Sequence, residues 1–307
     1  MEKIIYLFIH LALPLVIIID FVLRRHKSTI GLITKMTLYV SIIYFLFIWG
    51  QWAIAGSYYL RYFMLLIILI ILVIGSVRYH SNNKAKYIST FKKIVIGLTG
   101  LLSLLIFTIA LKASIGNSYT NEAIELKFPL KGGEYYISSG GANKLINNHM
   151  RDYPNAQQYA LDINKLGGFM GVSKRIMSTN NADHYIFSDT IYCPCNAIVL
   201  ETKNTIRDNS GSRMHVKPED GTGNYVKLKC DSVYIFIPHI KQFSILVSKG
   251  MKVEEGSPLG LVGISGFSQE PHLHIQASIY NSDSIMTGIP IKFNGKILSR
   301  NDLYANY

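Results

Sequence analysis

The chain has 307 residues, 49% of them hydrophobic and 16% charged, with a formal net charge of +12 and three cysteines. The charge argues less for nucleic acid than its size implies: residues 1–113 hold 12 Lys+Arg against 2 Asp+Glu, whereas the remainder holds 19 against 17. The odd cysteine count excludes a complete disulfide framework.

Residues 1–113 contain apolar runs long enough to cross a bilayer, which takes about 20 residues as a helix. Four spans are predicted, at about 4–23, 36–55, 60–77 and 94–111. The first lacks a basic leader, and Arg24-Arg25 stand where a small-residue cleavage site would be needed, so it reads as a retained helix. Basic residues gather between spans: Arg24, Arg25, Lys27 and Lys35 after the first, and Arg78, Lys84, Lys86, Lys92 and Lys93 after the third. Cytoplasmic loops carry such an excess. The expected topology is therefore a multi-pass membrane protein with its N-terminus and everything after Lys112 on the extracytoplasmic side. Trp49, Trp52, Tyr58 and Tyr59 flank the outer loop, where amphipathic rings favour the interface. His10 and Asp20 lie within or near the first span, but no span supplies a second carboxylate, so the bundle reads as an anchor rather than an ion pathway.

A linker is expected at 114–124, and an extracytoplasmic all-β domain of antiparallel sheet at 125–307. Short alternating stretches bounded by Gly, Asn, Asp and Ser place strands at 135–138, 159–164, 190–203, 224–230, 232–239, 252–253, 259–262 and 272–280. Two long polar stretches, 165–189 and 204–222, read equally as walls of a binding groove or as plain surface excursions. Cys193, Cys195 and Cys230 read as packing residues, with a bridge from Cys230 to Cys193 or Cys195 as the lesser alternative. His184 and His215, in the polar stretches, read as surface or rim residues, and His26 and His80 as companions of the basic loops.

Chemistry concentrates at Pro271-His272-Leu273-His274. In an extended strand alternate side chains share a face, so His272 and His274 point one way and Leu273 and Ile275 the other. Two imidazoles on one face suit a metal and its reacting water. A catalytic zinc wants three protein ligands and an open position. Upstream candidates are Asn148-His149 before a turn, Asp162 within a strand, and His239 at a strand end. The glycines of Gly260-Leu261-Val262-Gly263-Ile264-Ser265-Gly266 allow backbone to approach such a site closely.

Together, Asn148-His149, Gln158-Tyr159-Ala160-Leu161-Asp162-Ile163, Gly223-Asn224-Tyr225-Val226, Pro238-His239-Ile240 and Gly263-Ile264-Ser265-Gly266 leading to Pro271-His272-Leu273-His274 resemble the lysostaphin/LytM-type zinc metallopeptidases. The resemblance covers roughly residues 128–279. It implies a β-sheet peptidase domain with one Zn²⁺ per chain, held by His149, Asp162 and His274. It also implies that His239 and His272 are catalytic histidines that do not bind metal, one as general base and the other as oxyanion or water-orienting donor, with the assignment between them open. Two departures stand out: His149 and Asp162 are thirteen positions apart rather than the commoner four, and Ile240 replaces a Leu.

The implied function is hydrolysis of peptide cross-links in bacterial peptidoglycan by a membrane-anchored zinc metalloendopeptidase, with wall peptide and lipid bilayer as partners and no nucleic acid. The rival readings are a catalytically silent wall-binding or regulatory module, and a sensing or transporting bundle with the outer domain as accessory.

Overall fold

Four apolar segments of the N-terminal part become helices, but their lengths divide them. In a computed structural model of the chain, the residues described are 5–6, 8–24, 28–81, 89–116, 119, 122–152, 155–210, 216–280 and 286–307, in two compact units, Met1–Ile115 and Gly116–Tyr307. His26 and His215 fall outside the described residues.

Among the described residues, three helices are long and apolar enough to cross a membrane, not four. The first segment is a five-residue π-helical turn, Phe8–Ala12, followed by the 11-residue helix α1, Leu13–Leu23. At 1.5 Å per residue these reach about 24 Å, short of a hydrocarbon core of about 30 Å. The others are α2 (Thr29–Trp49), α3 (Leu60–Ser81) and α4 (Thr90–Ser114).

Helix α2 starts well before the expected residue 36 because Ser28 caps it, its hydroxyl accepting from the Gly31 N–H at 3.1 Å. Lys35 is thereby carried inside the helix, where its ammonium meets Asp20 at 2.5 Å. Hydropathy alone counts that lysine as a boundary; its ion pair lets it be part of the span. Asp20 also pairs with Arg24 and accepts from the Tyr39 hydroxyl. Arg78 donates to the carbonyls of Phe21, Val22 and Arg24 and so closes the C-terminal end of α1.

His10 is buried, donating from Nδ1 to the Tyr6 carbonyl at 2.9 Å and accepting the Gln51 N–H at Nε2. Trp52 and Tyr58 are buried within the unit, Trp52 edge-on to His10; Trp49 is half-buried and Tyr59 exposed. The first segment is thus fastened to the bundle by polar bonds as well as by Ile17 and Phe21.

The second unit is built of strands β1 (Ile124–Glu125), β2 (Gly133–Ser139), β3 (Leu161–Lys165), β4 (Thr190–Tyr192), β5 (Ala197–Lys203), β6 (Asn224–Cys230), β7 (Val233–Ile240), β8 (Lys252–Val253), β9 (Pro258–Leu261), β10 (Leu273–Tyr280), β11 (Met286–Ile289), β12 (Ile291–Phe293), β13 (Lys296–Ile297) and β14 (Leu303–Asn306), with a short helix α5 at Asn148–Asp152. Nine strands form one antiparallel sheet in the order β14-β2-β3-β10-β7-β6-β5-β8, with β11 alongside β10. Strands β4 and β9 form a separate antiparallel pair, while β1 lies parallel to β12 in a small three-stranded sheet with β13.

The stretch expected as one strand at 190–203 is two, β4 and β5. A bend at Pro194-Cys195-Asn196 sends them to different sheets. Strand β1 begins inside the stretch read as linker.

Strand β10 is the middle of the fold. Leu273, Ile275 and Ala277 face the apolar core with Ile163, Val226, Ile235 and Ile237, while His274, Gln276 and Ser278 line its other face and are also buried. Alternation therefore separates an apolar face from a polar one, with little solvent on either.

Two cysteines do more than pack. Cys195 and Cys230 form a disulfide joining the start of β5 to the end of β6, and Cys193 is free and buried. Denatured but unreduced protein should therefore bind one alkylating group per chain, and reduced protein three, by intact-mass measurement. Three groups without reduction would show that the bridge does not form.

Candidate metal centre

Two strand registers and one short helix converge on Asp162. In the β3–β10 ladder, Leu273 faces Ile163, His274 faces Asp162 and Ile275 faces Leu161. Directly opposed residues on one face bring their side chains together, and His274 Nδ1 lies 3.2 Å from Asp162 Oδ1. His272, two residues earlier on the same face, puts Nε2 3.5 Å from that oxygen.

His149 rides on α5, whose first turn is fixed by the buried amide of Asn147. Its Oδ1 accepts the His149 N–H at 3.0 Å, and its Nδ2 donates to the carbonyls of Gly141, Gln158 and Ala160. This spans the thirteen-position gap: the intervening loop returns to Asn147, so His149 Nε2 reaches both Asp162 oxygens at 2.9 Å.

His239 arrives by a different device. On β6, Asn224 to Val226 is matched on β7 by Ile240 to Ile237, one residue more, so Pro238 and His239 occupy a β-bulge. His239 there has φ +61°, a left-handed conformation that a bulky residue adopts at a cost. Pro238 lacks the N–H that a regular ladder would use, and within a strand it signals such a bulge. The bulge re-aims the ring: His239 and His272 have centroids 5.5 Å apart, His239 and His274 5.9 Å, and His149 and His274 4.4 Å.

The lead-in to β10 holds His239 in turn. His239 Nδ1 donates to the Ser265 carbonyl at 2.8 Å, and the Ser265 hydroxyl donates to the Ile240 carbonyl while accepting the Asn224 N–H. Backbone comes this close because Gly223 and Gly266 both have positive φ, and a Cβ on either would stand within 2.4 Å of the other segment. The loop 204–222 is stitched to the same lead-in by Asp208, whose carboxylate accepts the N–H groups of Ile264 and Gln242. Loop 165–189 joins it through the Asn181 side chain, which donates to the Asn209 carbonyl at 2.7 Å. His184, expected at the surface or rim, is buried within that loop.

Two clusters among the described residues could hold an ion: His149, Asp162 and His274, and His239, His272 and His274. The separations within the first suit zinc. Three ligands each about 2.0–2.1 Å from a tetrahedral zinc lie about 3.3 Å from one another, and the Asp162 separations to His149 and His274, 2.9 and 3.2 Å, are close to that edge. His274 Nδ1 is buried with no hydrogen-bond partner, a lone pair aimed into the cluster. Its Nε2 carries the proton, because it meets Gln276 Oε1 at 3.1 Å and an amide oxygen only accepts.

The electrostatics agree. Burial pushes the Asp162 carboxyl up, but the neighbouring His149 and His272 and the hydrogen bond from His149 outweigh it and hold the group well below the usual carboxylate range. Burial drives His239 well below the usual imidazole value, helped by His272 and His274, and it lowers His274 in the same way, helped by His149. Both rings are therefore neutral at pH 7, the state in which imidazole binds metal or takes a proton.

Residues 189–286 match the family model for Peptidase family M23. The M23 match contains His239, His272 and His274, whereas His149 and Asp162 precede it and join the cluster through the fold. No curated protein matches the chain. Similar solved structures include a zinc-containing peptidase from Vibrio cholerae (17% identity, TM-score 0.32, covering 58% of this chain and 39% of that one). Another is a putative M23 peptidase from Pseudomonas aeruginosa (15%, 0.30, 59% and 56%), and a third the catalytic domain of lysostaphin from Staphylococcus simulans (18%, 0.19, 35% and 78%). This chain thus spans less than two thirds of either of the first two, and likenesses of this size carry no argument about the site.

Sequence reasoning passed over Asn147, Asn224, Ser265 and Gln276, buried polar residues that hydrogen-bond in and around the cluster. Asn224 and Ser265 stood within the motifs that carried the resemblance, yet an amide or hydroxyl gives no periodic signal of its own role.

The lowered imidazoles set a pH dependence. A ring that resists protonation when folded takes up a proton more readily when unfolded, so its contribution is full above the usual 6.5 and is lost as pH falls through the folded value. Metal-free protein should lose thermal stability from pH 7 to pH 5, and His239→Gln should flatten that slope. A melting temperature constant over this range in the parent would contradict it.

Proposed function

We propose that the chain is a membrane-anchored zinc metalloendopeptidase that hydrolyses peptide cross-links of bacterial peptidoglycan. The observation that carries this reading is the placement of His149 Nε2 and His274 Nδ1 at 2.9 and 3.2 Å from one carboxylate, with two further imidazoles beside it.

In this reading His149, Asp162 and His274 hold one zinc ion. Bound there, zinc would acidify a water and polarise a peptide carbonyl as a Lewis acid. His239 and His272 do the proton work. Each has Nδ1 tied to a backbone carbonyl, Ser265 in one case and Glu270 in the other, so each keeps Nε2 as the free acceptor. One accepts the proton of the attacking water. The other, once Nε2 also carries a proton, is the donor that stabilises negative charge on the substrate oxygen, a contribution of about 3 kcal/mol for one positioned donor.

Location supports wall peptide as the substrate. The basic residues Arg24 and Lys35 precede or open α2, and Arg78, Lys92 and Lys93 flank the connection between α3 and α4. With both basic stretches inside, α2, α3 and α4 make three crossings and deliver the second unit outside. That outcome does not depend on whether the short first segment crosses; only the side of the N-terminus does. A bridged Cys195–Cys230 suits the same compartment.

Full-length protein in detergent should bind one zinc and release soluble peptides from purified peptidoglycan. Asp162→Ala or His274→Ala should lose metal and activity together. His272→Ala or His239→Ala should keep zinc while turnover falls by about 10²–10⁴. Bound zinc without peptide release would favour the silent wall-binding module; loss of zinc in the His272 variant would overturn the ligand assignment. For topology, a cysteine placed at the exposed Lys249 should react with an impermeant maleimide in intact cells, and protection until lysis would place the unit inside.

A further inference from the structure

Gln276 is buried on the polar face of β10, two residues beyond His274, and the peptidase reading gives it neither a ligand nor a catalytic role. Both ends of its amide are engaged. Nε2 donates to the Ala156 carbonyl at 3.3 Å, which leaves Oε1 facing the ring, 3.1 Å from His274 Nε2. Ala156 belongs to the loop between His149 and Asp162. The same loop supplies the Gln158 and Ala160 carbonyls to Asn147, whose Oδ1 holds the His149 N–H. Two buried amides, Gln276 behind the His274 ring and Asn147 at the His149 backbone, therefore both bond this one loop.

We propose that Gln276 is a positioning residue for the metal centre: its carbonyl oxygen fixes the His274 ring with the proton on Nε2 and the lone pair on Nδ1 directed at Asp162. This rests on His274 being a metal ligand. The physical reason is one-sided. An amide oxygen can only accept, so the ring nitrogen facing it must carry the proton, and a ring turned the other way would place its unprotonated nitrogen against that oxygen. Removing the oxygen leaves a buried N–H unpaired and the ring free to reorient. Groups that orient a ligating histidine from behind affect metal affinity by about 10–100-fold. Being neutral, an amide orients the ring without adding a second negative charge beside Asp162.

The test is zinc affinity of the full-length protein by competition with a chromophoric chelator, with the melting temperature of each metal-free variant alongside. Gln276→Leu should bind zinc about 10–100-fold more weakly. Gln276→Glu keeps an acceptor toward Nε2 but loses the donor toward Ala156, and should bind at least as tightly as the parent. Should the leucine variant fail to fold, Gln276→Asn, one methylene shorter, should show the loss. Parent-like affinity in the Leu variant, or in Asn where Leu does not fold, overturns the proposal. So does equal weakening in Leu and Glu, since that marks a role confined to holding the loop. A parent protein that binds no zinc would instead defeat the metal-centre reading itself, and this inference with it.

Discussion

The pairing of His274 with Asp162 across two antiparallel strands is the constraint on which the site depends. Because side chains alternate along a strand, a slip of one residue between β3 and β10 would turn His274 into the core and bring Leu273 or Ile275 to the polar face. The apolar residues prevent that slip. Leu273 and Ile275 fit the core with Ile163 on one side and Ile235 and Ile237 on the other. The packing that stabilises the sheet also fixes the register of the chemistry, so burial and function draw on the same alternation.

Around that pair, each remaining histidine is delivered by a local irregularity. A five-residue helix carries His149, a bulge with a left-handed residue carries His239, and the residue just before β10 carries His272. Regular ladder could not bring four imidazoles to one carboxylate, since neighbouring strands lie about 4.8 Å apart and present side chains at fixed intervals. The strain at His239 is offset by the Ser265 and Asn224 bonds that surround it. Asp162 is the one carboxylate within this cluster, and the imidazoles around it outweigh the burial that would otherwise protonate it.

Much of this was legible in the chain. Alternation gave β6 and β8 at their observed bounds and β10 to within one residue, and His-Leu-His announced a shared face before any partner was known. The bulge at Pro238 and His239 was not read, because the strand was ended at His239. What stayed hidden has physical causes. The gap between His149 and Asp162 closes through amide bonds from Asn147, which leave no pattern in sequence. The extra span was counted because hydropathy measures composition, whereas crossing depends on helical length; Lys35, which finds a carboxylate, instead hid the true start of α2. The strands after Tyr280 are short, and β12 and β14 pair with the distant β1 and β2, so local alternation did not mark them. Cys195 and Cys230 are 35 positions apart, and their meeting follows from the β5–β6 pairing rather than from spacing.

The central claim, that one divalent cation sits among His149, Asp162 and His274, is tested most directly by anomalous diffraction from zinc-soaked crystals on both sides of the zinc absorption edge. The account requires a single strong peak within about 2.0–2.2 Å of His149 Nε2, an Asp162 oxygen and His274 Nδ1, with His239 and His272 outside that distance. No peak there, or a peak held by His239 and His272 without Asp162, would contradict it.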